Sequence, residues 1–128
     1  MKLVLKILAV VALVVVAVFA GGVFFINRGL DEGSKVVINR VDLSLVEDGT
    51  YNGKYQAGRF SNEVSVTVQN HKITGISILK DVLFKKDEVT KELFERVMEK
   101  QNTDVDVISG ATVTCKAYLK SVEDALSK

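Results

Sequence analysis

A single cysteine, Cys115, and a single histidine, His71, are all that this 128-residue chain offers of the softer metal ligands. One cysteine closes no intramolecular disulfide and builds no thiolate cluster, and one histidine beside it leaves too few ligands for zinc. A surplus of charge is also missing, since 17 Lys and Arg face 16 Asp and Glu. No basic stripe advertises nucleic acid as a partner. There is no internal repeat, no low-complexity tract beyond the N-terminal run, and no polar clustering of the kind a substrate-converting enzyme needs. What remains is room for one small core in roughly one hundred residues.

The opening "MKLVLKILAVVALVVVAVFAGGVFFINRGL" holds an uncharged apolar run from Ile7 to Ile26. About 20 such residues, rising 1.5 Å each, match a hydrocarbon core of about 30 Å. Lys2 and Lys6 precede the run, while Arg28 follows it with Asp31 and Glu32 beyond. That asymmetry favours a cytoplasmic N-terminus and an exported domain. Val18-Phe19-Ala20 offers a passable cleavage site for a signal peptide. The run continues through "GGVFFI" past that point, which favours an uncleaved anchor, and no cysteine follows it that would carry a lipid. Setting aside Lys2, Lys6 and Arg28 leaves 14 basic side chains against 16 acidic ones in the exported part. The expected organisation is a transmembrane signal anchor over 1–28, a linker and lead-in over 29–47, and a domain over 48–128.

The linker "NRGLDEGSK" is polar, and "KVVINRVDLSLVEDG" after it reads as an early strand or a packed extended lead-in. From Thr50 the period is two. Tyr51, Gly53 and Tyr55 share one parity, and Val64, Val66 and Val68 in "EVSVTVQ" alternate with Glu63, Ser65, Thr67 and Gln69. "KITGISILK" supplies a third run, and Asn70 and His71 between the last two tolerate the left-handed backbone of a tight hairpin. The period then changes. Val89, Leu93, Phe94, Val97 and Met98 recur at helical spacing behind Asp87 and Glu88, whose charges suit a helix start. In a last helix, Cys115, Tyr118, Leu119, Val122, Ala125 and Leu126 mark the inner face; Lys116, Lys120, Glu123 and Asp124 mark the outer one. The plan is α+β: a small antiparallel sheet packed by two C-terminal helices, preceded by one N-terminal transmembrane helix.

The last helix is introduced by Ser109-Gly110-Ala111-Thr112. A hydroxyl there caps the helix by satisfying an orphan amide, a contribution of about 1 kcal/mol. The same terminus also suits a phosphate, because free amides and the positive end of the dipole favour an anion. Gly110 and Ala111 add no bulk against its approach, and a threonine hydroxyl holds a phosphate noncovalently or is esterified by it. Local physics permits all of these.

"DVISGAT", from Asp106 to Thr112, resembles the flavinylation motif of the FMN-binding domain family: Asp, two variable residues, Ser or Thr, Gly, Ala and a final Thr or Ser. That family includes the C subunit of the sodium-pumping NADH:quinone oxidoreductase, the G subunit of the Rnf complex and small extracytoplasmic flavoproteins. "DGTYNGKYQ", "VSVTVQNHKITGISIL" and "AYLKSVEDAL" are similar to the family's other stretches, so the resemblance runs from about Asp48 to Leu126. It implies a covalent FMN on Thr112 through a phosphoester. Ser109, Gly110 and Ala111 would shape the phosphate approach, and Asp106 would be the motif acid read by the modifying enzyme. It also implies an FAD-dependent flavin transferase as a partner, with this chain as its substrate, and redox partners in or outside the cytoplasmic membrane.

The expectation is therefore a membrane-anchored extracytoplasmic flavoprotein that transfers electrons. A noncovalent FMN-binding or sensory module, and a flavin-free interaction module, stand as alternatives. His71 replaces the glycine common in the family's hairpin and reads as a turn residue, and Cys115 as a buried small hydrophobe. Tyr51, Tyr55 and Phe60 read as core aromatics that can also flank a flavin ring.

Overall fold

The computed structural model describes residues 1–27 and 30–127. Arg28, on which part of the charge asymmetry rests, lies outside them, as do Gly29 and Lys128. The chain opens with helix α1 (Lys2–Asn27), followed by a short helix α2 (Leu30–Lys35). The most apolar 18-residue window within Lys2–Phe25 has a mean hydropathy of 3.1, and none of it is buried. Phe19 and Phe24 keep 74% and 73% of their surface. A helix of this length and composition, with no residue of its apolar window buried, has the properties of a membrane span.

Strands β1 (Gly49–Tyr55), β2 (Asn62–Gln69) and β3 (Lys72–Lys80) form one antiparallel sheet in that order. Alternation sets the register. Val64, Val66 and Val68 are fully buried on one face of β2, and Val66 sits opposite Tyr51 on β1 and Ile76 on β3. Each buried valine stabilises the fold by roughly 1.5–3 kcal/mol. Asn70 and His71 both adopt positive φ, 53° and 59°, the backbone that a two-residue hairpin of type I′ demands.

Helix α3 (Asp87–Lys100) turns Leu93 and Val97 into the core, with Val89, Phe94 and Met98 partly buried around them. Helix α4 (Thr112–Leu126) lies across β1 and β2. Its expected inner face is buried in full, from Cys115 to Leu126. The outer face differs from expectation: Glu123 keeps only 7% of its surface. The cause is the lead-in, which crosses over it. The Asn39 side-chain amide donates to Glu123 Oε1 at 2.9 Å and Lys120 Nζ donates to Oε2 at 2.9 Å, so the carboxylate is paired as well as covered.

The lead-in is packed and for the most part extended, with one 3-10 turn over Leu43–Leu45, and joins no sheet. Val41 and Val46 are buried, and side chains rather than a ladder hold the backbone. Asn102 Oδ1 accepts from the Val41 amide at 3.0 Å, Asn102 Nδ2 donates to the Val41 carbonyl at 2.7 Å, and Thr103 Oγ1 donates to the Asn39 carbonyl at 2.8 Å. The polar linker also gains structure. As α2 it packs on the first turn of α4, where Lys116 Nζ donates to the Ser34 carbonyl at 3.1 Å. Any Cβ at Gly33 would meet Val113 Cγ1 at 2.5 Å. This helix forms by docking, which a six-residue polar sequence does not announce.

Candidate functional site

The chain enters α4 through a tight turn. The Ala111 amide donates to the Ile108 carbonyl at 3.0 Å, and Gly110 between them has φ +83°, the value of the third position of a type II turn. A Cβ at Gly110 would meet nothing within 4 Å, so the glycine answers to backbone conformation and not to crowding. Ala111 is the N-cap, and no side chain caps the helix. The two hydroxyls that were candidates for that task are otherwise placed: Thr112 is already the first helical residue and Ser109 lies before the turn's glycine. Both are exposed, and neither bonds another described residue. The first amides of α4 therefore point out with no side-chain acceptor on them.

Gly110, Ala111 and Thr112 line one side of a cleft of about 430 Å³. Arg59 and Phe60 of the Gly58–Phe60 turn close another side, and Phe84, Lys86 and Val89 the third. The Arg59 guanidinium carbon is 4.3 Å from the Phe60 ring centroid and 5.3 Å from that of Phe84, a cation held between two aromatic faces. The turn and the β3–α3 loop are tied together by the Leu83 amide, which donates to the Arg59 carbonyl at 3.0 Å. The cleft thus joins a helix N-terminus and two cationic side chains to an apolar, aromatic wall.

Of the residues singled out in sequence, Gly110, Ala111, Thr112 and Phe60 meet in this cleft. Ser109 and Asp106 lie outside its lining. The Asp106 main chain is fixed, with its carbonyl accepting from Arg96 Nη1 at 2.9 Å while Nη2 of the same arginine donates to Glu92 at 2.8 Å. Its carboxylate stays at the surface beside Arg96 and Lys100. Tyr51 and Tyr55 do not line the cleft. Tyr51 donates to the Glu47 carbonyl at 2.7 Å, and the Tyr55 hydroxyl approaches Gly33 of α2. His71 Nδ1 lies 3.1 Å and 3.0 Å from the carbonyls of Leu43 and Val46, so the hairpin ring fastens the lead-in. Cys115 is fully buried, and burial pushes its thiol up from the ordinary range, in keeping with a small core hydrophobe. Arg59, Phe84 and Lys86 escape a reading by motif, since their sole signal is the neighbourhood of aromatic and basic residues in "GRF" and "LFKK".

An uncapped helix terminus opposite cationic and aromatic side chains is compatible with a ligand that carries a phosphate and a ring. The FMN-binding domain family matches residues 61–127, from the residue before β2 to the end of α4. That is just over half of the chain, and the chain belongs to this family. Among curated proteins no match is found. The lining is compatible with FMN: Arg59, Lys86 and the α4 amides would answer a phosphate, and Phe84 and Val89 an apolar ring, while Phe60 is buried behind the Arg59 guanidinium. With α1 before it, the chain has the make-up of a membrane-anchored FMN-binding protein.

Proposed function

We propose that FMN is joined to Thr112 through a phosphoester and that the protein carries electrons on the extracytoplasmic side of the membrane. The observation that carries this reading is an exposed Thr112 hydroxyl, bonded to no other described residue, at the uncapped start of α4 in a cleft with cations and aromatics. In the modification, Thr112 Oγ1 forms a bond to the flavin-side phosphorus of FAD, the pyrophosphate bond breaks, AMP leaves and the hydroxyl proton passes to the transferase. The Asp106 carboxylate, exposed on an immobilised backbone, suits recognition by that enzyme. Ser109 and the Gly110 turn leave the approach to Thr112 open.

FMN in such a site supplies reversible electron transfer, and the protein supplies position. The α4 amides, Arg59 and Lys86 would hold the phosphate, Phe84 would shield a ring face from water, and the buried Phe60 backs the Arg59 guanidinium. A covalent tether replaces a binding equilibrium by a high effective concentration, which matters where released cofactor is diluted away. The test is intact mass after coexpression with an FAD-dependent flavin transferase. The expected result is a gain of one FMN minus water, with in-gel flavin fluorescence after denaturation, both lost in Thr112→Ala. Flavin released by acid precipitation would instead establish noncovalent binding.

A further inference from the structure

The β3–α3 loop carries an apolar tip that the fold leaves uncovered. Val82 is buried and pins the loop, yet Leu83 and Phe84 after it keep 56% and 55% of their surface. Leu79 at the end of β3 is also half exposed. Lys80, Lys85 and Lys86 surround this tip. Of the acids nearby, Asp81 is engaged by the Tyr118 hydroxyl, Asp87 faces Lys85 at 4.0 Å, Glu63 sits opposite Lys80 in the β2–β3 pair, and Glu88 is exposed in the first turn of α3.

We infer that the Leu83–Phe84 tip lies in the interface of the membrane that α1 spans and holds the flavin cleft at headgroup level. This rests on the reading of α1 as a membrane span. Continuity of the chain selects the occupant. From Asn27, the end of α1, to Leu30, the start of α2, there are three Cα steps, at most about 11 Å. Helix α2 packs on α4 and on the Gly58–Phe60 turn, and α1 comes up to that same turn. The Leu83 amide is bonded to the turn through the Arg59 carbonyl. The tip therefore belongs to the end of the domain where the chain leaves the membrane. Its composition suits the place: apolar side chains enter the headgroup–acyl boundary, and lysine stems lie along it with their ammonium groups at the phosphates. Phe84 serves both surfaces, because its ring also forms a wall of the cleft.

The chain has no tryptophan, so one introduced tryptophan reports its own surroundings. The full-length protein is reconstituted in phosphatidylcholine–phosphatidylglycerol vesicles, with and without lipids brominated high on the acyl chain. Leu83→Trp is compared with Leu45→Trp and Phe19→Trp. Leu45 is 80% exposed near the hairpin end of β2, whose eight residues span roughly 24 Å. Interfacial side chains sit roughly 5–10 Å into the boundary, within reach of these bromines, so Leu83→Trp should lose about half its emission while Leu45→Trp loses none. An unquenched Leu83→Trp beside a quenched Phe19→Trp would overturn the inference and leave the anchor standing. If Phe19→Trp is unquenched as well, the anchor reading and this inference fall together.

Discussion

Tyr118 is fully buried, but its ring carries a polar atom that the core must satisfy. Its hydroxyl donates to the Asp81 carboxylate, and its ring meets Phe94 edge-on at a centroid distance of 5.7 Å. Burial, reinforced by the neighbouring carboxylate, drives the phenol above its ordinary range. Because the folded state holds this proton more tightly than the unfolded one, the associated stability is complete below the ordinary tyrosine value of about 10 and is lost as pH rises past it. Tyr118→Phe should cost about 1–3 kcal/mol at neutral pH by removing a hydrogen bond to a charged carboxylate, which keeps the Val82 amide as a donor at 2.8 Å. It should also remove tyrosine's share of the alkaline decline, read as urea midpoints at neutral pH and at about pH 11. The apolar face of α4 announces that Tyr118 is buried. Its partner, thirty-seven residues earlier in the chain, is invisible to any periodicity.

At the scale of elements, β2, β3, α3 and α4 follow from their periods, since alternating valines and helically spaced leucines bury one face whatever surrounds them. Gly53 does not follow so simply. Its parity on β1 is readable, but the reason for a glycine is not: a Cβ there would lie 1.9 Å from the Ser121 carbonyl oxygen and 2.4 Å from the Ala125 amide nitrogen. The strand meets the backbone of α4 directly, with the small Ala125 Cβ beside it. Gly53→Ala should therefore cost about 3 kcal/mol or more, at or above the upper end for overpacking, because neither main chain is free to yield. Chemical denaturation reads that loss directly. Glu123 teaches the same lesson from the other side. A charged residue at an outward position is normally solvated, and the lead-in that buries it comes from 84 residues away.

For the molecule as a whole, α4 is the element everything else surrounds: nine of its fifteen residues are buried, between the sheet, α2 and the lead-in. The candidate site stands at its start. The half of that site within one contiguous motif, Gly110 to Thr112, is legible in sequence because turn, terminus and hydroxyl are local. Arg59, Phe84 and Lys86 come from two other connections and meet the motif only through folding. Gln101 belongs to the same long-range order. Held at φ 57°, it ends α3, and its side-chain amide accepts from the Ile73 amide at 2.6 Å and donates to the Ile73 carbonyl at 3.0 Å. One side chain thus stands in for a fourth strand at the head of β3, taking up hydrogen-bonding groups that an outer edge would offer to another chain. With Gln101→Ala those groups are released, and concentration-dependent association, followed by light scattering, should rise above that of the unaltered protein. A cap that ends a helix is, for this sheet, also a guard against aggregation.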